Sequence, residues 1–173
     1  MGFVIERKAN FIVNNLGGAK VTVGKLIANN KKAYYDYFIE ETFEAGMVLT
    51  GTEVKSLRSG KGTIKEAYAD ITNDGEIWVT NMHISHYEQG NIHNVDPLRR
   101  RKLLLHKREI NKIVGLIALQ GLTLVPTKLY FNPRGKIKME IAIAKGKKMY
   151  DKRHAIAKRD ANMNIQKELG KRY

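Results

Sequence analysis

The chain has 173 residues, 43% of them hydrophobic, and 31 Lys and Arg against 17 Asp and Glu give it a formal charge of +14. That is enough apolar material for one folded centre, and a positive surplus of this size gains most from a polyanion that releases its counterions on contact. With no cysteine, a disulfide framework, a thiolate zinc site and a cysteine nucleophile are excluded. No apolar run approaches the roughly 20 residues that cross a bilayer, and the first 20 residues lack the apolar stretch and cleavage site of a secretion signal. A soluble, cytoplasmic, monomeric protein with nucleic acid as its leading partner is expected.

Charge is unevenly spread. Residues 145–173 hold ten Lys and Arg against three acids, +7 in 29 residues, while the first 144 residues also carry +7. The step marks a basic tail attached to a folded body.

In chain order, the aromatic stretch 34–39 suits a pleated surface and predicts a strand. The run 47–49 predicts a second short strand, and the acids Glu40, Glu41 and Glu44 between the two read as a solvated turn. Thr52 is placed to cap a short helix over 52–58, with Val54 and Leu57 on one face. Residues 68–73 and 76–80 flank Asp74-Gly75, a dipeptide that closes a tight hairpin. Residues 103–105 predict another strand. Ile110, Ile113, Val114 and Ile117 follow helical spacing within 105–119, with Gly121 as a stop. The segments 123–131 and 136–144 face each other across Asn132-Pro133-Arg134-Gly135, a polar turn. Short strands joined by close turns predict a mainly β fold, an OB-like antiparallel β-barrel of five or six strands with flanking helices. In the tail, Ala157, Ala161, Ile165 and Leu169 repeat every fourth residue. So thin a stripe predicts a tail that is disordered when free and helical on its partner.

No catalytic machinery is visible, and the chain does not read as an enzyme. Gly60-Lys61-Gly62 fails as a phosphate loop, because Lys61 is not followed by Ser or Thr and the leading position is Lys55. His83, His86 and His93 read as ordinary surface or loop histidines, since the step from His83 to His86 turns the rings to opposite faces. No metal and no cofactor are expected. Basic runs are better represented: Arg99-Arg100-Arg101-Lys102, and Lys145-Gly146-Lys147-Lys148-Met149-Tyr150-Asp151-Lys152-Arg153, where Tyr150 offers a flat face to a base.

Several blocks are similar to the SsrA-binding protein (small protein B) family. They are Asn30-Lys31-Lys32-Ala33, Asp36-Tyr37-Phe38-Ile39-Glu40-Glu41, Phe43-Glu44-Ala45-Gly46, Leu49 and Gly51, and Glu53-Val54-Lys55-Ser56-Leu57-Arg58. Further along come Asp96-Pro97, Arg99 with Arg101-Lys102-Leu103-Leu104-Leu105, Lys145-Gly146-Lys147-Lys148 and Asp151-Lys152-Arg153. The resemblance implies an OB-like barrel that binds the tRNA-like domain of transfer-messenger RNA and takes it to the vacant A site of a stalled ribosome. It implies that Asn30, Glu44, Leu104 and Lys138, with Lys55 and Arg58, face the RNA. The small-subunit decoding site would meet Lys145, Lys147, Lys148, Tyr150, Asp151, Lys152 and Arg153, and the tail would lie helical in the empty mRNA channel. Residues 1–24 would be a flexible leader, 25–144 the RNA-binding body and 145–173 the tail. One departure is Ala161, where the family often has a large aromatic. The competing readings are a structural ribosomal or other basic RNA-binding protein, which would form no complex with free transfer-messenger RNA, and a metal-dependent RNA enzyme.

Overall fold

The computed structural model describes residues 25–147; the leader and nearly all of the tail, including Lys148 and Tyr150 to Arg153, lie outside the described residues. In chain order the elements are β1 (Leu26–Asn29), α1 (Lys31–Asp36), β2 (Tyr37–Met47), α2 (Gly51–Arg58), β3 (Gly62–Thr63), β4 (Tyr68–Ile71), β5 (Ile77–Thr80), β6 (His83–Ile84), a 3-10 turn (Asn91–His93), β7 (Arg101–Leu104), α3 (Lys107–Gln120), β8 (Thr123–Phe131) and β9 (Ile137–Gly146). Six strands pair antiparallel in the order β8-β4-β5-β7-β2-β9, and β9 returns to β8, which closes a ring. β1 adds to the far part of β8, and β3 pairs with β6 in a separate small ribbon. Mostly β structure with a few helices is therefore what the alternation predicts.

The alternation also fills the ring. Phe43, Ala45, Ile77, Val79, Leu103, Leu129, Met139 and Ile141 are all buried in one apolar cluster, and Ile113 of α3 is buried with them. Their neighbours in sequence point the other way, as the two-residue period of a strand requires. α3 delivers the predicted stripe: Ile110 and Ile117 pack on the cluster and Val114 stays partly exposed. Gly121 ends it in the left-handed region at φ 61°, a conformation that costs glycine little. The two predicted hairpins form, with Gly75 and Gly135 both at φ 73°.

Four expectations fail locally. Residues 34–36 are not strand but the end of α1, and the strand begins at Tyr37. The run 47–49 is no separate strand, because β2 is one piece through Met47. Glu40, Glu41 and Glu44 therefore sit on that strand and not on a turn; an isolated acid is tolerated there because alternate residues face outward. The cap of α2 is Thr50, not Thr52. The Glu53 carboxylate turns back to accept the Thr50 backbone N–H at 2.8 Å, a capping-box arrangement.

The start of α1 depends on a seam in the ring. β8 pairs with β4 at Leu124 and with β1 only from Lys128 onward, so its middle has no strand on that side. Asn30 fills the gap. Its backbone N–H donates to Thr127 O at 2.8 Å, and its side-chain amide donates to Pro126 O at 3.1 Å and Ile64 O at 3.2 Å. Its side-chain oxygen accepts from Ala33 N at 3.1 Å and so caps α1. Pro126, which lacks an N–H, is tolerated in this strand.

Candidate nucleic-acid interface

The register brings distant residues into one row across the outside of the ring. Leu104 of β7 lies opposite Gly46 of β2, Gly46 opposite Lys138 of β9, and Lys138 opposite Tyr130 of β8. Glu44 is two residues from Gly46 on the same face. It forms an ion pair with Lys138 at 3.2 Å and accepts a hydrogen bond from the Tyr130 hydroxyl. Burial, then the hydrogen bond to Glu44, pushes the Tyr130 phenol well above its usual range, so it stays a proton donor. Leu104, in contrast, is 51% exposed. Three residues singled out through the resemblance, Glu44, Leu104 and Lys138, are thereby gathered around one glycine.

The next row is also charge-balanced. Glu44 faces Glu140 across β2 and β9, and Glu140 faces Lys128 across β9 and β8. Two acids side by side repel, and here each has its own cation: Lys128 reaches Glu140 at 3.0 Å, as Lys138 reaches Glu44. Glu140 also accepts from the Thr127 hydroxyl at 2.7 Å. Around Gly46 this face offers the Glu44 carboxylate, 34% exposed, and the half-exposed Leu104.

Other nominated residues lie elsewhere. Asn30 is 3% exposed and all its amide groups are engaged within the protein, so it shapes the seam. Lys55 and Arg58 are exposed on α2. That helix is tied through Ser56 to Ser85 O at 2.6 Å, through Thr52 to His93 O at 3.1 Å and through Lys55 to the Tyr87 ring at 5.3 Å; none of these ties reaches the row around Gly46. Lys145 is exposed at the end of β9. Lys147 is held at the corner where α1 meets β2. Its backbone N–H donates to Asp36 O at 2.9 Å, its ammonium donates to Tyr34 O at 2.9 Å, and the charge lies 4.8 Å from the centre of the Phe38 ring.

The basic run Arg99-Arg100-Arg101-Lys102 proves to be paired within the protein. Arg101 is fully buried, with Nε on Glu53 at 2.8 Å, Nη1 on Met82 O and Arg99 O, and Nη2 on Pro97 O. Arg99 grips Glu53 with a fork, at 2.9 and 2.6 Å. Arg100 pairs with Asp70 and lies over the Trp78 ring, and Lys102 pairs with Glu76. Burial works to raise the Glu53 pKa, but the hydrogen bonds from Arg99, the Thr50 N–H and Arg101, with the Arg101 charge, hold it below its ordinary value. Burial lowers the Arg101 value and Glu53 opposes this. Sequence reasoning counted these charges as free because their partners are 26 to 48 residues away. It also passed over Tyr130, which is buried like its neighbour Leu129 but turns its hydroxyl to Glu44.

Among the described residues no three His, Cys, Asp or Glu side chains are grouped to hold a metal ion, and no helix is long and apolar enough to cross a membrane.

A ring of strands with a balanced, leucine-edged outer face, on a chain of charge +14, defines the class as a nucleic-acid-binding β protein. The family profile described as SmpB protein matches residues 27–171. The SsrA-binding protein of Caldicellulosiruptor bescii is 61% identical over 145 residues, which is 84% of this chain and 90% of that protein. That of Clostridium novyi is 56% identical over 155 residues, covering 90% of this chain and 98% of the relative. Among solved structures, a chain from one described as "tmRNA-SmpB: a journey to the center of the bacterial ribosome" matches with a TM-score of 0.58 at 50% identity, covering 70% of this chain and 84% of the other. This chain belongs to the SmpB protein family.

Proposed function

We propose that this protein binds the tRNA-like domain of transfer-messenger RNA and carries it to the A site of stalled ribosomes for trans-translation. The ring is read as the OB-like barrel of residues 25–144, which meets the RNA with its outer β7–β2–β9–β8 face. The observation that carries this reading is the meeting of Glu44, Leu104 and Lys138 around Gly46. They come from three strands and share nothing in sequence, yet they present one surface. A leucine left half in water packs well on a base or sugar, and a carboxylate fixed by Lys138 and Tyr130 accepts from ribose hydroxyl or base amino groups.

Residues 145–173 are assigned to the ribosome: unstructured in the free protein, helical in the empty mRNA channel, with Tyr150, Asp151, Lys152 and Arg153 at the decoding site beside Lys145 and Lys148. The role follows from the charge of that segment, +7 in 29 residues, which suits an RNA-walled path. Lys147 is assigned differently from Lys145 and Lys148, because its ammonium is already committed to Tyr34 and Phe38. It is read as the anchor from which the tail departs.

The test is recovery of the protein from lysate with sequencing of the RNA that accompanies it. Transfer-messenger RNA should dominate; a mixture without preference for a tRNA-shaped ligand would remove the reading. A chain ending at residue 149 should keep its RNA and lose tagging on stalled ribosomes. Equal loss of both would dissolve the division between ring and tail.

A further inference from the structure

The seam that Asn30 bridges leaves a cleft beside it. β4 meets β8 only at Ala69 and Leu124, and β1 takes over from Lys128, so α1 and the turn before β4 stand apart over the start of β8. The space between them is about 250 Å³. Tyr37 and Tyr68 line it together with the buried Ala67 and Val125. The walls are fixed before any ligand arrives, because the Asn30 side chain bonds to Ala33 N in α1, Ile64 O in the turn and Pro126 O in β8. A cleft held in this way is occupied at little cost in ordering.

Its chemistry narrows the ligand. Tyr68 is 52% exposed and Tyr37 is half-buried, and no hydrogen bond among the described residues engages either hydroxyl. Aromatic rings left bare beside apolar side chains suit another flat ring. Two lysines also line the cleft. Lys32 is paired with Glu66 at 3.3 Å, whereas Lys65 is exposed and has no ion pair among the described residues. One uncommitted ammonium matches one phosphate, not a run of them. The carboxylates of Asp36 and Glu66 accept from base amino or sugar hydroxyl groups and disfavour a bare anion. A base that is paired and stacked in a duplex cannot enter so small a space.

We propose that this cleft is a binding site for one unpaired nucleotide, which sets its base against Tyr37, Tyr68 and Val125 and its phosphate on Lys65. The site lies apart from the outer face around Gly46. Val125 is five residues before Tyr130 on β8, roughly 17 Å at about 3.3 Å a step. It therefore stands or falls separately from the reading given above. The nucleotide is either free or part of a single strand, and the probes tell the two sources apart.

The full chain is titrated with adenosine monophosphate, an unstructured RNA hexamer and a short RNA duplex, and binding is read from the backbone amide signals of Ala67, Tyr68 and Val125. The hexamer should move these signals, and the duplex should leave them in place at tenfold higher concentration. If the mononucleotide moves them too, the site takes free nucleotides as well as strands; if only the hexamer does, it takes strands. Either result upholds the cleft. Tyr68→Ala should weaken the hexamer at this site by about tenfold or more, and Tyr68→Phe, which keeps the ring, should not. Lys65→Ala should lower the slope of log affinity against log salt by about one. Thermal melting checks that the variants are folded; if Tyr68→Ala is not, the exposed Lys65 and the three amide signals carry the comparison. Signals that stay in place with both mononucleotide and hexamer would overturn the proposal. So would a loss for Lys65→Ala with none for Tyr68→Ala, which would mark a plain phosphate contact. Neither result bears on the recovery of transfer-messenger RNA, which tests the earlier reading.

Discussion

Asn30 donates its side-chain amide to the carbonyl of Pro126 at 3.1 Å, across 96 residues of chain. This bond sits where β8 changes partner from β4 to β1, so it closes a stretch of the ring that strand pairing leaves open. The same side chain caps α1, which ties the helix entry to the seam.

Asn30→Ala removes the cap and leaves the buried Pro126 carbonyl without its side-chain donor, while the Ile64 carbonyl keeps the Ala67 N–H at 3.2 Å. A lost cap costs about 1 kcal/mol and a buried unsatisfied group about 1–3 kcal/mol. A total loss of about 2–4 kcal/mol is expected in a urea titration. A midpoint equal to that of the unaltered chain would show that Asn30 does not hold the seam.

Leu103 and Leu104 are sequence neighbours with opposite surroundings, 2% and 51% exposed. Leu103→Ala should cost about 2–5 kcal/mol by opening a cavity. Leu104→Ala should stay within about 0.5 kcal/mol of the starting stability and weaken RNA binding instead. Denaturation and RNA titration on the same two proteins separate the effects; a reversed pattern would mean that β7 is turned the other way.

Glu53 is expected to set the acid limit of stability. Its folded pKa is held below the ordinary 4.5. The stability it contributes is therefore fully present above pH 4.5 and lost as pH falls through the lowered folded value. Glu53→Gln leaves Arg101 buried without a counter-charge and should cost about 3–5 kcal/mol at neutral pH. Urea midpoints from pH 7 to pH 3 should show a shallower acid decline in the variant than in the parent, and parallel curves would exclude Glu53 as the titrating group.

Phe38 is half exposed beneath the Lys147 ammonium. Phe38→Ala should change stability by about 0.5–1 kcal/mol and leave RNA affinity unaltered, while ribosome-dependent tagging falls. Lys147→Arg, which keeps the cation over the ring, should retain tagging where Lys147→Ala does not. If both Lys147 variants behave alike, the corner does not orient the tail.

What could be read in the sequence was what is local. The Asp74-Gly75 and 132–135 hairpins, the α3 stripe and its stop at Gly121 each follow from residues within a few positions of one another, and each is present. The turn of α1 was missed because Asn30 is recruited by carbonyls of residues 64 and 126, which no local window contains. The run at 99–102 was misread for the same reason: its acids come from α2, from β4 and from the residue before β5. The candidate site was partly legible. Glu44, Leu104 and Lys138 were identified through the resemblance, but that they share one face is a matter of register, and the part played by Tyr130 and Gly46 appears only once the strands are paired.

The long β2–β9 ladder separates the two working ends of the molecule. Lys138 lies opposite Gly46 at one end, and Gly146 lies opposite Tyr37 at the other, next to the Lys147 corner. The eight intervening steps at about 3.3 Å amount to roughly 25 Å. A paired double strand does not stretch, so on the proposed assignment the protein is a ruler between the partner on its outer face and the partner that receives its tail. Two large partners can be held at once without touching the same residues, and their spacing is decided by the count of residues in this ladder.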